Sequence, residues 1–471
     1  MTIKLKNIIT YKTKDDVWQV AQSALGKTLR DFIPVEEIEG IEKKLANYAT
    51  SRKGYFGELA EEFVFGLPRN AQSEADFKLA GVELKTTPIK RHPARTYIAK
   101  ERLVFSMIDY RTIINETWAE SSFLKKNKCI LLMLYLYLCE KLIIDYKFKF
   151  VHFLDLLNDI SEMDIRQIQH DWESIVTKIR NGQAHLLSEG DTFYLGACTK
   201  GAKGTQRRFQ PNSTIPAKPR AFSLKQSYVN ALIQRFLKKE KDLKSIHISK
   251  TTQTIEETIL SKFALYLGLT DREICKRNAW KLSRKHKGYK RQLANYILTS
   301  NGASQIVELE KANITMRAIT LEPNGMLRES ISFPTFDYGD LCETPWYKEG
   351  DVDHDSVLAD FHAQLEEKKF LFVIFQKMKG SKDIVLKKAM YWNFPAQDMA
   401  EAQRVYEKAQ RCVALGRYAE MPKISESLVA HVRPHGRNAL DTMLTPQGTR
   451  EIKRCFWLNA KYIQKVVEGN R

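Results

Sequence analysis

Asp76, Glu83 and Lys85 place two carboxylates and an ammonium in one short stretch of chain, and Glu61 precedes them. These residue types suit metal-assisted hydrolysis of a phosphodiester. Magnesium is a hard cation, commonly held by one or two carboxylates and otherwise by water and substrate oxygens. Such an ion neutralises charge developing on phosphorus and activates water as the nucleophile. Asp76 and Glu83 are the expected ligands. Lys85 is suited to orienting water or stabilising developing charge, and Glu61 to orienting water or helping to hold a second ion. The bare acid-x-lysine pattern is not specific, since it recurs at Glu42-Lys43-Lys44, Glu366-Glu367-Lys368 and Glu451-Ile452-Lys453. There the expectation is solvated charge, mostly on helical faces.

The elements that must position these groups follow from periodicity. Phe56, Leu59, Ala60 and Phe63 fall at helical spacing and predict an apolar stripe, with Glu61 on the same helix at the edge of the core. Two short alternating segments, Ala75 to Leu79 and Val82 to Thr87, meet at Ala80-Gly81 and predict a hairpin. Alternation sends Val82 and Leu84 to one face and Glu83 with Lys85 to the other. The apolar run from Cys129 to Cys139 is too short to span a bilayer and reads as a buried central strand.

The same outline then returns without its acids. Lys53-Gly54-Tyr55 followed by Leu59-Ala60-Glu61 reappears as Lys287-Gly288-Tyr289 followed by Leu293-Ala294-Asn295. The stretch from Asp76 to Lys85 matches Glu308 to Arg317, with Thr315 in place of Glu83 and Arg317 in place of Lys85. Lys100 to Tyr110 resembles Arg328 to Tyr338, and Phe222-Ser223-Leu224 with Tyr228-Val229 matches Phe456-Trp457-Leu458 with Tyr462-Ile463. Four matches in one order indicate a duplicated domain. The expected division is a first domain over 1–240, a linker over 241–254 and a second domain over 255–471. Asp351 to Asp355 resembles a calcium loop but lacks the glycine and terminal acid of an EF-hand, so it reads as an exposed acidic insertion.

Lys and Arg outnumber Asp and Glu by 75 to 56, a net charge of +19 that points to a polyanionic partner. Seven cysteines show neither a CxxC pair nor a zinc spacing, and the first residues do not read as a secretory signal. A reducing cytoplasm is the expected location.

The motif from Lys53 to Glu61, with Asp76-Phe77, Gly81 to Thr86 and Pro88, resembles the signature of MutH, the methyl-directed mismatch-repair nicking endonuclease. Ser121 to Leu124, His185 to Gly190, Cys198 to Ala202, Arg220 to Lys225 and His431 to His435 extend the resemblance to the two-domain Sau-type restriction endonucleases that recognise GATC. The resemblance implies two α/β restriction-endonuclease-like domains, each a mixed central sheet flanked by helices. It further implies Mg2+ dependence and cutting of double-stranded DNA 5' of the G in GATC. It assigns catalysis to Glu61, Asp76, Glu83 and Lys85, with Lys126 the most plausible match for a further family lysine.

Base reading belongs elsewhere, because phosphate contacts position a protein while groove-edge contacts specify sequence. The glycine-rich basic stretch Thr199 to Arg208, carrying Lys200, Lys203, Arg207 and Arg208, is an expected DNA-contacting loop. By resemblance Lys200 falls at a recognition position, while the arginine expected before it is Cys198 here. In the second copy His431 to Asn438, with Arg433, His435 and Arg437, is closer to the family's recognition loop. Asn295 and Thr315 cannot replace anionic ligands, and Arg317 differs from lysine in shape. The second copy is therefore expected to bind DNA without cutting it, as an effector module.

The expected protein is a GATC-specific type II restriction endonuclease. Its alternatives are a repair nickase or a noncatalytic GATC-binding regulator. One active site per chain predicts a monomer that dimerises transiently on DNA. A cognate methyltransferase is expected as a functional partner, not a stable subunit.

Overall fold

A computed structural model describes residues 10–47, 54–68, 74–93, 95–138, 140–200, 206–237, 254–346 and 360–469. The chain divides into two units, one chiefly Met1–Leu187 with Thr192–Lys241, the other chiefly Asp242–Lys348 with Ser356–Arg471. Of the expected linker only Thr254 is described; its side chain accepts from the Glu257 amide at 3.2 Å and caps the helix Ile255–Ala264. The acidic stretch Asp351 to Asp355 lies outside the described residues.

The first unit carries β1 (Glu83–His92), β2 (Thr96–Ala99), β3 (Leu103–Met107), β4 (Cys129–Leu136), β5 (Phe148–Asp155), β6 (Leu195–Thr199) and β7 (Arg220–Leu224). They form sheets of order β2-β1-β4-β5 and β3-β7-β6. β1 runs parallel to β4, and β5 antiparallel to it. Every residue of β4 is buried, as expected of a central strand covered on both faces. One face, with Leu131, Met133 and Tyr135, packs with Phe56, Leu59, Val82 and Leu84. The other presents Ile130, Leu132 and Leu134, which are equally buried.

Register then decides where the charges go. Leu84 pairs with Leu131, on the first face, whereas Glu83 pairs with Ile130 and Lys85 with Leu132. Paired residues of neighbouring strands share a face. Glu83 and Lys85 therefore enter a covered side of the sheet, and Glu83 is only 1% exposed.

The second unit carries β8 (Ile314–Leu321), β9 (Ile331–Thr335), β10 (Lys369–Lys377), β11 (Ile384–Asn393), β12 (Ala430–Pro434), β13 (Thr442–Leu444), β14 (Arg450–Ile452) and β15 (Arg454–Leu458). β8 runs parallel to β10 and β11 antiparallel to it, repeating β1, β4 and β5. β15 lies antiparallel between β9 and β12, repeating β7 between β3 and β6. The hairpin β13-β14 is added. The topology supports what the repeated motifs suggest: both units are α/β, with mixed sheets flanked by helices. Among the described residues no helix is long and apolar enough to cross a membrane.

Candidate active site and nucleic-acid interface

Glu61 lies on a helix that changes pitch at this residue. An α-helix over Tyr55–Leu59 passes into a π-helical turn over Ala60–Val64, closed by the Phe65 amide donating to the Ala60 carbonyl at 3.2 Å. π-turns are rare and concentrate at functional sites. The wider turn corrects the expected stripe. Phe56, Leu59 and Ala60 are buried as expected, but Val64 and Phe65 take the place of the half-buried Phe63. The helix also comes close to β1. A Cβ added at Gly57 would fall 3.3 Å from Thr86 Oγ1, so glycine allows this approach one turn before Glu61.

The expected hairpin is shorter than its pattern. Phe77 and Val82 form a single antiparallel bridge, and Lys78 to Gly81 are turn, with Gly81 at φ +65°. Ala75 to Leu79 is therefore not a strand, because Leu79 lies in the turn and is exposed. What holds the segment is Phe77, whose ring packs edge-on against Tyr11 at 4.9 Å and Phe65 at 5.1 Å. This aromatic cluster fastens the Asp76 segment to the end of the helix that bears Glu61.

Asp76 and Glu83 brace each other. The Asp76 amide donates to Glu83 Oε2 at 3.2 Å, and the Leu84 amide donates to Asp76 Oδ2 at 2.9 Å. Lys85 Nζ reaches Glu83 Oε1 at 2.6 Å, and Lys126 Nζ stands 3.6 Å from the same oxygen. Lys126 is carried on the helix Ser122–Asn127, capped by Ser121 Oγ accepting from the Leu124 amide at 3.1 Å. Its neighbours Lys125 and Lys128 are exposed, so the fold brings one of the three lysines to the carboxylates.

Electrostatics describe a site short of positive charge. Burial, then the neighbouring Asp76, pushes the Glu61 carboxyl up to about 7, against the opposing pull of Lys85. Burial likewise raises Glu83, although Lys85 opposes it. Two raised carboxyls, Glu61 and Glu83, each beside the charge of Asp76, suit a hard divalent cation. Among the described residues no three acid, histidine or cysteine side chains are gathered as a complete cage. Two carboxylates suit magnesium, which keeps water and substrate oxygens in its shell.

The expected DNA-contacting residues divide between the units. Lys200 follows β6 and is half-buried, its amide donating to the Pro219 carbonyl at 2.7 Å. Arg207 and Arg208 are exposed, but Arg208 is bridged to Ala217 rather than lying in a free loop. Lys203 lies outside the described residues. In the second unit Arg433 and His435 are exposed beside Trp457, at 3.8 Å and 5.0 Å from the ring centroid. Arg437 is exposed, its amide donating to Asp441 Oδ2 at 3.0 Å.

The sequence profile of the DNA mismatch repair enzyme MutH matches residues 65–171, a span that includes Asp76, Glu83, Lys85 and Lys126. The type II restriction enzyme Sau3AI of Staphylococcus aureus is 28% identical over 505 aligned positions, covering 98% of this chain and 99% of that protein. The chain is thus similar along its length to a type II restriction enzyme, and over residues 65–171 to MutH. Both matches support a site-specific deoxyribonuclease acting on double-stranded DNA.

Two features of the enzyme escaped sequence reasoning. Trp457 is the platform under Arg433; its signal was the departure from Ser223 inside an otherwise matching repeat. The second is Glu366-Glu367-Lys368, which is not a solvated helical face. Glu366 is buried, and Lys368 is largely buried at the start of β10, because the segment enters the second unit's central sheet.

Proposed function

We propose that the chain is a type II restriction endonuclease cutting double-stranded DNA 5' of the G in GATC by Mg2+-dependent phosphodiester hydrolysis. The observation that carries the reading is the convergence of Asp76, Lys85 and Lys126 on Glu83, with Glu61 electrostatically coupled to the group. Asp76, Glu83 and Glu61 would hold the ion, which supplies charge neutralisation at phosphorus and a more acidic water. Lys85 and Lys126 face the scissile phosphate with two ammonium groups in a water-poor setting, where fixed charges act strongly.

The second unit serves as a noncatalytic DNA-binding effector. Register supports this role. Aligning Glu83 with Thr315 carries Ile130 onto Phe370 and Lys126 onto Glu366, so cation ligand and lysine are both absent there. Aligning Phe222 with Phe456 carries Cys198 onto Arg433 and Lys200 onto His435. The exposed arginine thus occurs in the copy that lacks counterparts of Glu61 and Glu83.

Plasmids carrying zero, one or two GATC sites, matched in site concentration, test both parts. Four-base 5' overhangs and faster cutting of the two-site plasmid are expected. Equal rates on one and two sites overturn the effector role, and cleavage of the site-free plasmid or none at all overturns the GATC nuclease.

A further inference from the structure

We propose that the second unit's cleft, at the register of the first unit's catalytic group, is a metal-independent site for a DNA phosphodiester, held by Arg317, Lys368 and Arg291. The proposal rests on the reading of that unit as a DNA binder and names what occupies its former active site.

Arg317 stands where the first unit has Lys85. Its Nη2 donates to the Ser332 carbonyl at 3.1 Å, while its Nε is buried and has no acceptor among the described residues. Lys368 lies two residues before Phe370, which pairs with Thr315. Lys368 immediately precedes β10; continuing the strand's alternation by one residue would place it on the face of Thr315 and Arg317, and its charge senses Arg317. Arg291 replaces Gly57, the residue whose missing side chain lets the first unit's helix approach β1. The exchange puts an exposed guanidinium at that position, near enough for its charge to act on Arg317.

These cations sense one another. Burial and then Arg291 lower the Arg317 pKa; burial and then Arg317 lower that of Lys368, which Glu367 partly offsets. The first unit gathers part-buried and buried carboxylates that call for a cation, and the second sets two part-buried cations, Arg317 and Lys368, with the exposed Arg291 near Arg317, an arrangement that calls for an anion. A guanidinium with a free buried N–H is costly unless an acceptor arrives, and phosphate oxygens match its planar fork. Asn295 and Thr315 replace Glu61 and Glu83, while the carboxylates that remain are turned to other partners, Glu308 to Lys262 and Glu366 to His362.

A consequence separates the units. Without divalent ions the first cleft presents carboxylates to DNA, so the second unit dominates binding. The test is fluorescence anisotropy of the full chain with a labelled GATC duplex in EDTA, over a salt series, comparing wild type with Arg317→Met and Lys368→Met. Each substitution removes one cation of a mutually repelling group and keeps an apolar stem, so melting temperature is expected to hold.

Each variant is expected to weaken duplex binding roughly tenfold and to lower the slope of log affinity against log salt by about one. Unchanged affinity and slope in both overturn the proposal. Arg433→Ala separates the two levels of inference: if it alone weakens binding, the pocket is wrong and the DNA-binding unit stands. If none of the three changes binding, both fail. Inorganic phosphate distinguishes the source of the anion. Competition with the duplex in wild type but not in Arg317→Met supports the site, whereas stabilisation by phosphate with duplex affinity unchanged in the variants reassigns it to free phosphate.

Discussion

Arg433 sits over Trp457, its guanidinium carbon 3.8 Å from the ring centroid, in a diagonal pair across β12 and β15 where Arg433 itself faces Cys455. In the first unit the matching positions are Cys198 and Ser223, both buried. Arginine and its aromatic support therefore occur together in one copy and are absent together from the other. Stacking restrains a long side chain without consuming its hydrogen-bond donors, which leaves the fork free to meet a base edge or phosphate.

Arg433→Ala is expected to weaken duplex binding in EDTA about tenfold or more, consistent with roughly 1–3 kcal/mol for a bidentate contact. The ratio of two-site to one-site cleavage should fall toward unity. Arg433→Lys should not restore it, because an ammonium neither stacks nor forks as a guanidinium does. An unaltered ratio in the alanine variant removes this strand from the effector role.

Glu83→Gln should lower Mg2+-dependent cleavage by at least about 10³-fold, since it removes a charge stabilising the metal and the two lysines. Duplex binding in EDTA should persist. Cleavage within tenfold of wild type would displace Glu83 from the centre of the mechanism.

The three neighbouring lysines provide an internal comparison. Lys126→Ala is expected to slow single-turnover cleavage by about 10²-fold, whereas Lys125→Ala and Lys128→Ala, whose side chains are exposed, should stay near wild type. Equal losses in all three would indicate a general electrostatic effect.

Glu61 links metal, protons and stability. Its folded pKa of about 7 lies above the ordinary 4.5, so the metal-free fold loses stability as pH rises from 4.5 through about 7. Glu61→Gln should abolish cleavage yet stabilise the metal-free first unit by on the order of 2–3 kcal/mol at pH 8, and several-fold less near pH 5. Mg2+ binding near pH 7 should also release about half a proton, seen as a buffer-dependent binding enthalpy. Buffer-independent enthalpy together with an unshifted pH 8 melt would refute this assignment.

Phe77 tests how the fold sets the distance from Asp76 to Glu61. Phe77→Leu removes the edge-on contacts to Tyr11 and Phe65 and should raise the Mg2+ concentration for half-maximal cleavage severalfold. An unchanged metal requirement would mean that the backbone alone positions Asp76.

Residue type and order were enough to suggest a duplication, an acidic group and the absence of Glu61 and Glu83 counterparts in the second copy, because those are matters of which atoms are present. Strand alternation also separated Glu83 and Lys85 from Val82 and Leu84, since that period is local. Tertiary structure alone decided the rest. Packing of Phe65 and Phe77 produced a π-turn and a one-bridge hairpin where periodicity implied a regular helix and two strands. Lys126 was distinguished from Lys125 and Lys128 by its 3.6 Å approach to Glu83, a long-range relation that no spacing encodes. Strand pairing set Arg433 beside Trp457, from segments apart in the chain. Side-chain chemistry is written residue by residue, whereas distance, burial and shared face arise only when remote strands pair and exclude water.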